Sequence, residues 1–165
     1  MYESNHSRRA MLGFMGAAAA ATAFGYASRS VPVAAQSFRI SYSEAEWRRR
    51  LTPEEYAVLR EEHTERAYTS PLNDEKREGI FVCAGCSNQL FSSETKYDSG
   101  TGWPSFYRPL PGAIGRKIDH KLGYPRTEVH CADCGGHQGH VFNDGPRPTG
   151  LRYCINGLAL DFRPA

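Results

Sequence analysis

The chemistry of this sequence converges on one thiol, in the stretch Gly145-Pro-Arg-Pro-Thr-Gly-Leu-Arg-Tyr-Cys-Ile-Asn156. After a Pro/Gly-rich turn, Leu151 to Ile155 reads as a short strand, apolar and aromatic between breakers. Side chains alternate along a strand, so Arg152, Cys154 and Asn156 share a face while Tyr153 and Ile155 take the other. An ordinary cysteine has a pKa of about 8.5, and a neighbouring guanidinium lowers it. Arg152 beside Cys154 is therefore a way to prepare a thiolate nucleophile. Taken alone, an R-x-C-x-N strand also suits a buried cysteine packing as a small hydrophobe beside an Arg that snorkels to water.

The spacing of the other cysteines separates them from Cys154. The chain has five cysteines, and four form two C-x₂-C knuckles, Cys83-Ala-Gly-Cys86 and Cys131-Ala-Asp-Cys134. Each knuckle ends an expected strand. Two such turns make a closed tetrahedral Cys₄ zinc site with no open position for substrate, so the expected ion is structural. The 44 residues between the knuckles exceed the usual ribbon spacing, so the ion is expected to staple two distant hairpins. Two disulfides are the alternative in an oxidising compartment. Cys154 is left over, as a reactive thiol would be.

Two further stretches supply a pocket. Gly135-Gly-His-Gln-Gly-His-Val-Phe-Asn-Asp-Gly145 follows the second knuckle and sets His137 and His140 among glycines that permit close backbone approach. Imidazole exchanges a proton near neutral pH, as a general acid must. Two histidines without a carboxylate partner in sequence are a weak metal signal. Asp98-Ser-Gly-Thr-Gly-Trp-Pro-Ser-Phe106 holds Trp103 in a loop, able to wall an apolar slot or simply to join the core.

The elements that must position these groups begin after residue 35. Ser7-Arg8-Arg9, an apolar run from Ala10 to Phe24 and then Val33-Ala34-Ala35 have the form of an export signal cleaved before Gln36. The paired arginines point to the twin-arginine route and hence to a periplasmic location. The apolar run of about 15 residues is short of the ~20 needed to span a bilayer, so no stable membrane association is expected after cleavage. The signal holds Arg8, Arg9 and Arg29 against Glu3; of 20 basic and 18 acidic residues the remainder keeps seventeen of each. A chain with no net charge gives no electrostatic reason to bind nucleic acid.

Residues 36–50 read as a linker and a short, Arg-rich surface helix over Glu44–Leu51. Thr52-Pro53-Glu54-Glu55 is a helix start with an N-cap, Pro at the first position and a capping box. That helix is expected to run to about Glu65, with Tyr56 and Leu59 inward and Glu61, Glu62 and Glu65 outward. Strands are expected at Ile80–Cys83, Gln89–Phe91, Ala113–Ile118, Thr127–Cys131, His140–Phe142, Leu151–Ile155 and Leu158–Phe162. The fold class is α+β, mainly antiparallel β, with an N-terminal helix and a Cys₄ zinc staple, one domain over residues 51–165.

The two C-x₂-C pairs, D-S-G-T-G-W-P-S-F, H-Q-G-H-V-F-N-D-G-P and P-T-G-L-R-Y-C-I-N together resemble the B-type methionine-R-sulfoxide reductase family, from Leu51-Thr-Pro-Glu-Glu-Tyr56 to Leu160-Asp-Phe162. The resemblance implies a twisted antiparallel fold pinned by zinc, with Cys154 as nucleophile and a pocket of His137, His140, Asn156, Arg152, Asp144, Phe142 and Trp103. It implies attack of the Cys154 thiolate on a sulfoxide sulfur, protonation of the departing oxygen by His140 or His137, a methyl slot at Trp103, and a sulfenic acid on Cys154. Substrates would be oxidised proteins or free methionine sulfoxide. Many members of that family carry a resolving cysteine where this chain has Thr101, so reduction by an external thiol or a thioredoxin-like donor is expected. Gln138 and Gly157-Leu-Ala also depart from the family's usual residues.

Overall fold

The computed structural model describes residues 37–165. The expected export signal and its cleavage point lie outside the described residues. Among the described residues no helix is long and apolar enough to cross a membrane.

Two short helices open the domain. Helix α1, Glu44–Arg50, starts in a capping box: Ser43 Oγ accepts from Glu46 N and the Glu46 carboxylate accepts from Ser43 N. It was expected on the surface, but Trp47 is buried and roots it in the core. Helix α2, Pro53–Glu61, has the expected Thr52–Glu55 capping box and buries Tyr56, Val58 and Leu59. It stops four residues before the expected end, because Glu62 turns left-handed at φ 57°. The Glu62 carboxylate takes Lys117 at 2.6 Å and Lys121 at 2.7 Å, and the chain leaves the helix axis. Glu65, expected on an outer face, is consequently buried. The stretch before α1, read as a linker, is docked: Ile40 N donates to Asp133 O at 2.8 Å, and Arg39 pairs with Asp133.

All strand pairing is antiparallel. A three-stranded sheet has the order β2-β1-β9, formed by Gln89–Ser92, Gly79–Cys83 and Leu160–Pro164. A six-stranded sheet has the order β3-β4-β8-β7-β6-β5, formed by Lys96–Tyr97, Ser105–Phe106, Arg152–Ile155, His137–Phe142, Arg126–Cys131 and Ile114–Asp119. Strand β7 begins three residues earlier than its sequence pattern predicts. The last strand starts later, because Gly157–Ala159 closes a single 3₁₀ turn first. Strands β3 and β4, two residues each, carry too little pattern to be read from sequence.

Aromatic rings fill the space between the sheets. Phe91 stacks on Phe106 at 4.3 Å, and Phe81 meets Phe106 edge-on at 5.0 Å. Each fully buried ring of this kind contributes roughly 1.5–3 kcal/mol. Across the larger sheet, Tyr97, Ser105, Cys154, His140, Glu128 and Lys117 are opposed in turn, one rung crossing all six strands. Directly opposed residues of an antiparallel pair lie on one face. The rung gathers one polar group from each of the six strands, with Cys154 near its centre.

Candidate active site and metal centre

Cys154 sits on β8 between Ser105 of β4 and His140 of β7. It lines a cleft of about 120 Å³ with His140, Asn156, Trp103, Phe142 and Arg126. The close strand approach depends on Gly139. A Cβ there would lie 2.1 Å from the Cys154 carbonyl oxygen, and φ is +155°, a value that favours glycine. Gln138 is the extra residue of a register shift between β6 and β7, which turns both His137 and His140 toward Glu128.

Each histidine is held by a carboxylate that its sequence neighbourhood does not reveal. His140 Nε2 lies 2.7 Å from Asp119 Oδ2, and the same oxygen takes Arg126 Nη2 at 2.5 Å. His137 Nδ1 lies 2.8 Å from Glu128 Oε1, while Lys117 reaches the other Glu128 oxygen at 2.9 Å. The Lys121 backbone N–H above all holds Asp119 well below the usual carboxylate range, so it is ionised and accepts only. The N–H of His140 must therefore be on Nε2, which leaves Nδ1 with a free lone pair. Burial lowers the pKa of His140 despite Asp119, and pushes His137 down to about 4. Both rings are neutral at rest. His137 is almost fully buried, its Nε2 has no hydrogen-bond partner, and it does not line the cleft.

Arg152 grips Asp144 through two bonds, 2.9 Å from Nε and 2.8 Å from Nη2, and lies 4.4 Å above the Phe142 ring. Asp144 is exposed and outside the cleft; its contact is the guanidinium. The sequence expectation that Arg152 yields a resting thiolate is only half met. Burial raises the Cys154 thiol, and it outweighs the downward pull of the Thr101 hydroxyl and of Arg152. The resting group is a thiol.

Asn156 and Trp103 are positioned by Glu65, which the sequence reading missed. Glu65 N donates to Asn156 Oδ1 at 3.0 Å, and Trp103 Nε1 donates to Glu65 O at 3.1 Å. The Glu65 carboxylate accepts from Gly157 N and, at 3.1 Å, from Leu158 N, fixing the turn behind Asn156. Asn156 Nδ2 donates to Gln138 O at 3.1 Å, so its amide is committed to backbone on both sides. The only advance signal for Glu65 was its place just past a capped helix, which reads equally well as surface.

The four knuckle cysteines are brought together as expected. All four Sγ atoms lie within 4.8 Å of one another, with 3.7 Å between Cys83 and Cys134 and 3.5 Å between Cys86 and Cys131. A tetrahedral ion with bonds of ~2.3 Å to sulfur needs sulfur–sulfur edges of about 3.8 Å, so the donor set fits a metal ion. The thiols are free of disulfides. Asn88 Nδ2 and Gln138 Nε2 each approach a ligand sulfur at 3.5 Å, as donors to thiolate would. The site joins the end of β1 to the end of β6, one sheet to the other.

A family model described as the SelR domain matches residues 51–164. This chain belongs to the SelR-domain family. Its SelR domain is similar to several proteins named peptide methionine sulfoxide reductase. The MsrB of Leptospira interrogans is 52% identical over 128 residues, covering 77% of this chain and 98% of that protein. The MsrB of Leifsonia xyli is 55% identical over 129 residues, 77% of this chain and 93% of the relative. The chloroplastic reductase B1 of Arabidopsis thaliana is 52% identical over 121 residues, 73% of this chain and 60% of the plant protein.

Proposed function

We propose that this SelR domain reduces methionine-R-sulfoxide, peptide-bound or free, to methionine, with Cys154 as the nucleophile and an external thiol closing the cycle. The observation that carries the reading is the direct opposition of Cys154 and His140 on β8 and β7, both facing one cleft walled by Trp103. A neutral His140 with a free Nδ1 takes the thiol proton from Cys154. The thiolate attacks the sulfoxide sulfur, and the imidazolium, steadied by Asp119, returns the proton to the sulfoxide oxygen. The protonated oxygen then passes from the substrate sulfur to the Cys154 sulfur: the substrate S–O bond and the transient S–S bond break, a Cys154 S–O bond forms, methionine leaves, and Cys154 is a sulfenic acid. One thiol and one sulfoxide thus give one sulfenic acid and one thioether, with no proton gained or lost.

His137 keeps the neighbouring ring in place from beneath, at 5.5 Å between centroids. Trp103 and Phe142 hold the substrate methyl and select the R epimer. Asn156 positions the strand end through its two backbone bonds, and Asp144 acts as the clamp on Arg152 rather than as a contact to substrate. The ion in the Cys₄ centre is zinc and structural: four thiolates close its coordination and supply no chemistry to the cleft.

Thr101 stands near Cys154, and the remaining four thiols belong to the metal centre, so two external thiol equivalents reduce the sulfenic acid. The first forms a mixed disulfide and releases water; the second frees Cys154. The test compares R- and S-sulfoxide substrates with wild type and Cys154→Ser, using dithiothreitol and separately a thioredoxin-like donor. Turnover confined to the R epimer and lost in Cys154→Ser, with metal still bound, is the expected result. Residual turnover by the serine variant would sink the nucleophile assignment. Residues 1–35 are read as a twin-arginine export signal, and N-terminal sequencing of periplasmic protein should begin at Gln36; an intact Met1 terminus there would refute cleavage.

A further inference from the structure

A chain of three hydroxyls leads away from Cys154, and its polarity can be deduced. Thr101 Oγ1 lies 3.7 Å from Cys154 Sγ, Ser99 Oγ lies 2.8 Å from Thr101 Oγ1, and Ser105 Oγ lies 2.7 Å from Ser99 Oγ. Ser105 Oγ then lies 3.1 Å from the Trp103 carbonyl oxygen. A carbonyl only accepts, so Ser105 spends its one proton there. Ser99 must therefore donate to Ser105, and Thr101 to Ser99. Thr101 is left facing the sulfur with a lone pair, which makes Cys154 the donor. The loop that presents Thr101 is strapped by Tyr68, whose backbone N–H donates to Gly102 O at 2.7 Å and whose hydroxyl donates to Gly100 O at 2.6 Å.

We propose that Thr101 and Ser99 form a positioning relay that sets the protonation of Cys154: Thr101 accepts from the resting thiol and turns to donate to the thiolate, and Ser99 opposes that turn. Turning Thr101 toward sulfur makes Ser99 donate to Thr101 and Ser105 to Ser99, which gives up the bond to the Trp103 carbonyl, so the chain through Ser99 resists the turn. The two hydroxyls therefore act on Cys154 with opposite sign although they belong to one chain. A merely structural role for this loop would move the thiol the same way at both positions. The other charged or titratable groups around the thiol are Arg152 on its own strand, Asp144 beyond β7, His140 on β7, Arg126 of β6 across the cleft and Tyr97 on β3. None of them contacts Ser99 in the hydrogen-bond network, so all stay in place when Ser99 is changed.

The inference deepens the reading of Cys154 as nucleophile, but its test needs no turnover. Alkylation of Cys154 by iodoacetamide is followed by mass spectrometry against pH in metal-loaded protein, with circular dichroism and bound metal as folding controls. Thr101→Val should raise the pH midpoint by about one unit, a tenfold loss of thiolate below it. Thr101→Ser should restore the wild-type midpoint, and Ser99→Ala should lower it. An unchanged midpoint in a folded Thr101→Val protein, or a rise in Ser99→Ala, overturns the proposal. If Thr101→Val fails to fold, the sign of the Ser99→Ala shift still decides it. Failure of the relay would leave the sulfoxide assay with Cys154→Ser untouched.

Discussion

Replacing Asp119 with Asn tests the proposed proton transfer from Cys154 to His140. Asp119 accepts from His140 Nε2 at 2.7 Å, Arg126 Nη2 at 2.5 Å and Lys121 N at 2.7 Å, and its side chain is one-tenth exposed. In the resting site His140 is neutral and this bond joins a neutral donor to a carboxylate. When His140 takes the Cys154 proton, the same bond joins an imidazolium to a carboxylate, so Asp119 stabilises the transferred state more than the resting one. Hydrogen bonds to charged groups are worth about 1.5–3 kcal/mol, which corresponds to roughly 10- to 100-fold in kcat/KM. The carboxylate also holds the pKa of His140 up against burial, so its loss lets that value fall further. The acidic limb of kcat/KM should therefore move to lower pH in Asp119→Asn while the plateau drops. The assay is a pH series with a methionine-R-sulfoxide peptide and dithiothreitol, alongside the melting temperature to register the unpaired Arg126. A plateau within twofold of wild type in a folded variant would refute the proton-transfer role of His140. So would a loss confined to KM.

Three other outcomes follow from different parts of the structure. Removing the Cys₄ ion with a chelator, or changing Cys83→Ser, should unfold the domain, since a structural zinc supplies an apparent ~10–16 kcal/mol against a total stability of about 5–15; circular dichroism with metal analysis checks this, and a folded metal-free protein would contradict it. His137 is held near 4 by burial while an unfolded histidine titrates near 6.5, so the unfolded chain binds the extra proton between those values. Stability is fully present above about 6.5 and lost as pH falls toward 4, by about 3 kcal/mol; urea unfolding at both ends should show a smaller loss in His137→Gln than in wild type. Gly139→Ala should displace β8 and its nucleophile, because the new Cβ would meet the Cys154 carbonyl oxygen at 2.1 Å and Ile155 Cα at 3.0 Å. A stability cost of about 1–3 kcal/mol with a loss of turnover larger than that implies is expected from melting and steady-state rates.

What the sequence displays is what short-range spacing controls. The capping box at Thr52 fixes where α2 begins, and the C-x₂-C turns announce four ligands for one ion, because each needs only three or four consecutive residues; the same box at Ser43 was equally local but went unread. The end of α2 was misread because no local signal says that Glu62 will turn left-handed. The groups its carboxylate meets there, Lys117 and Lys121, are more than fifty residues away. Glu65 was placed outside for the same reason, since the N–H groups it caps belong to Gly157 and Leu158. Within the site, Cys154, His140 and Trp103 could be picked out because their chemical types are uncommon and their flanking glycines and prolines conspicuous. Asp119 and Glu128 could not, being two acidic residues among many on ordinary strands. Only the pairing of β5, β6 and β7 brings them to the imidazoles, and a one-residue shift at Gln138 between β6 and β7 brings His137 to Glu128. The missed residues are thus the ones that decide protonation. An alternating pattern locates a nucleophile on a strand, but whether it rests as thiol or thiolate depends on neighbours across the sheet. Here Arg152 pulls the thiol down as its place on the strand implies, but burial outweighs it. In the proposed mechanism the proton goes instead to the free nitrogen of His140, opposed to Cys154 on the next strand.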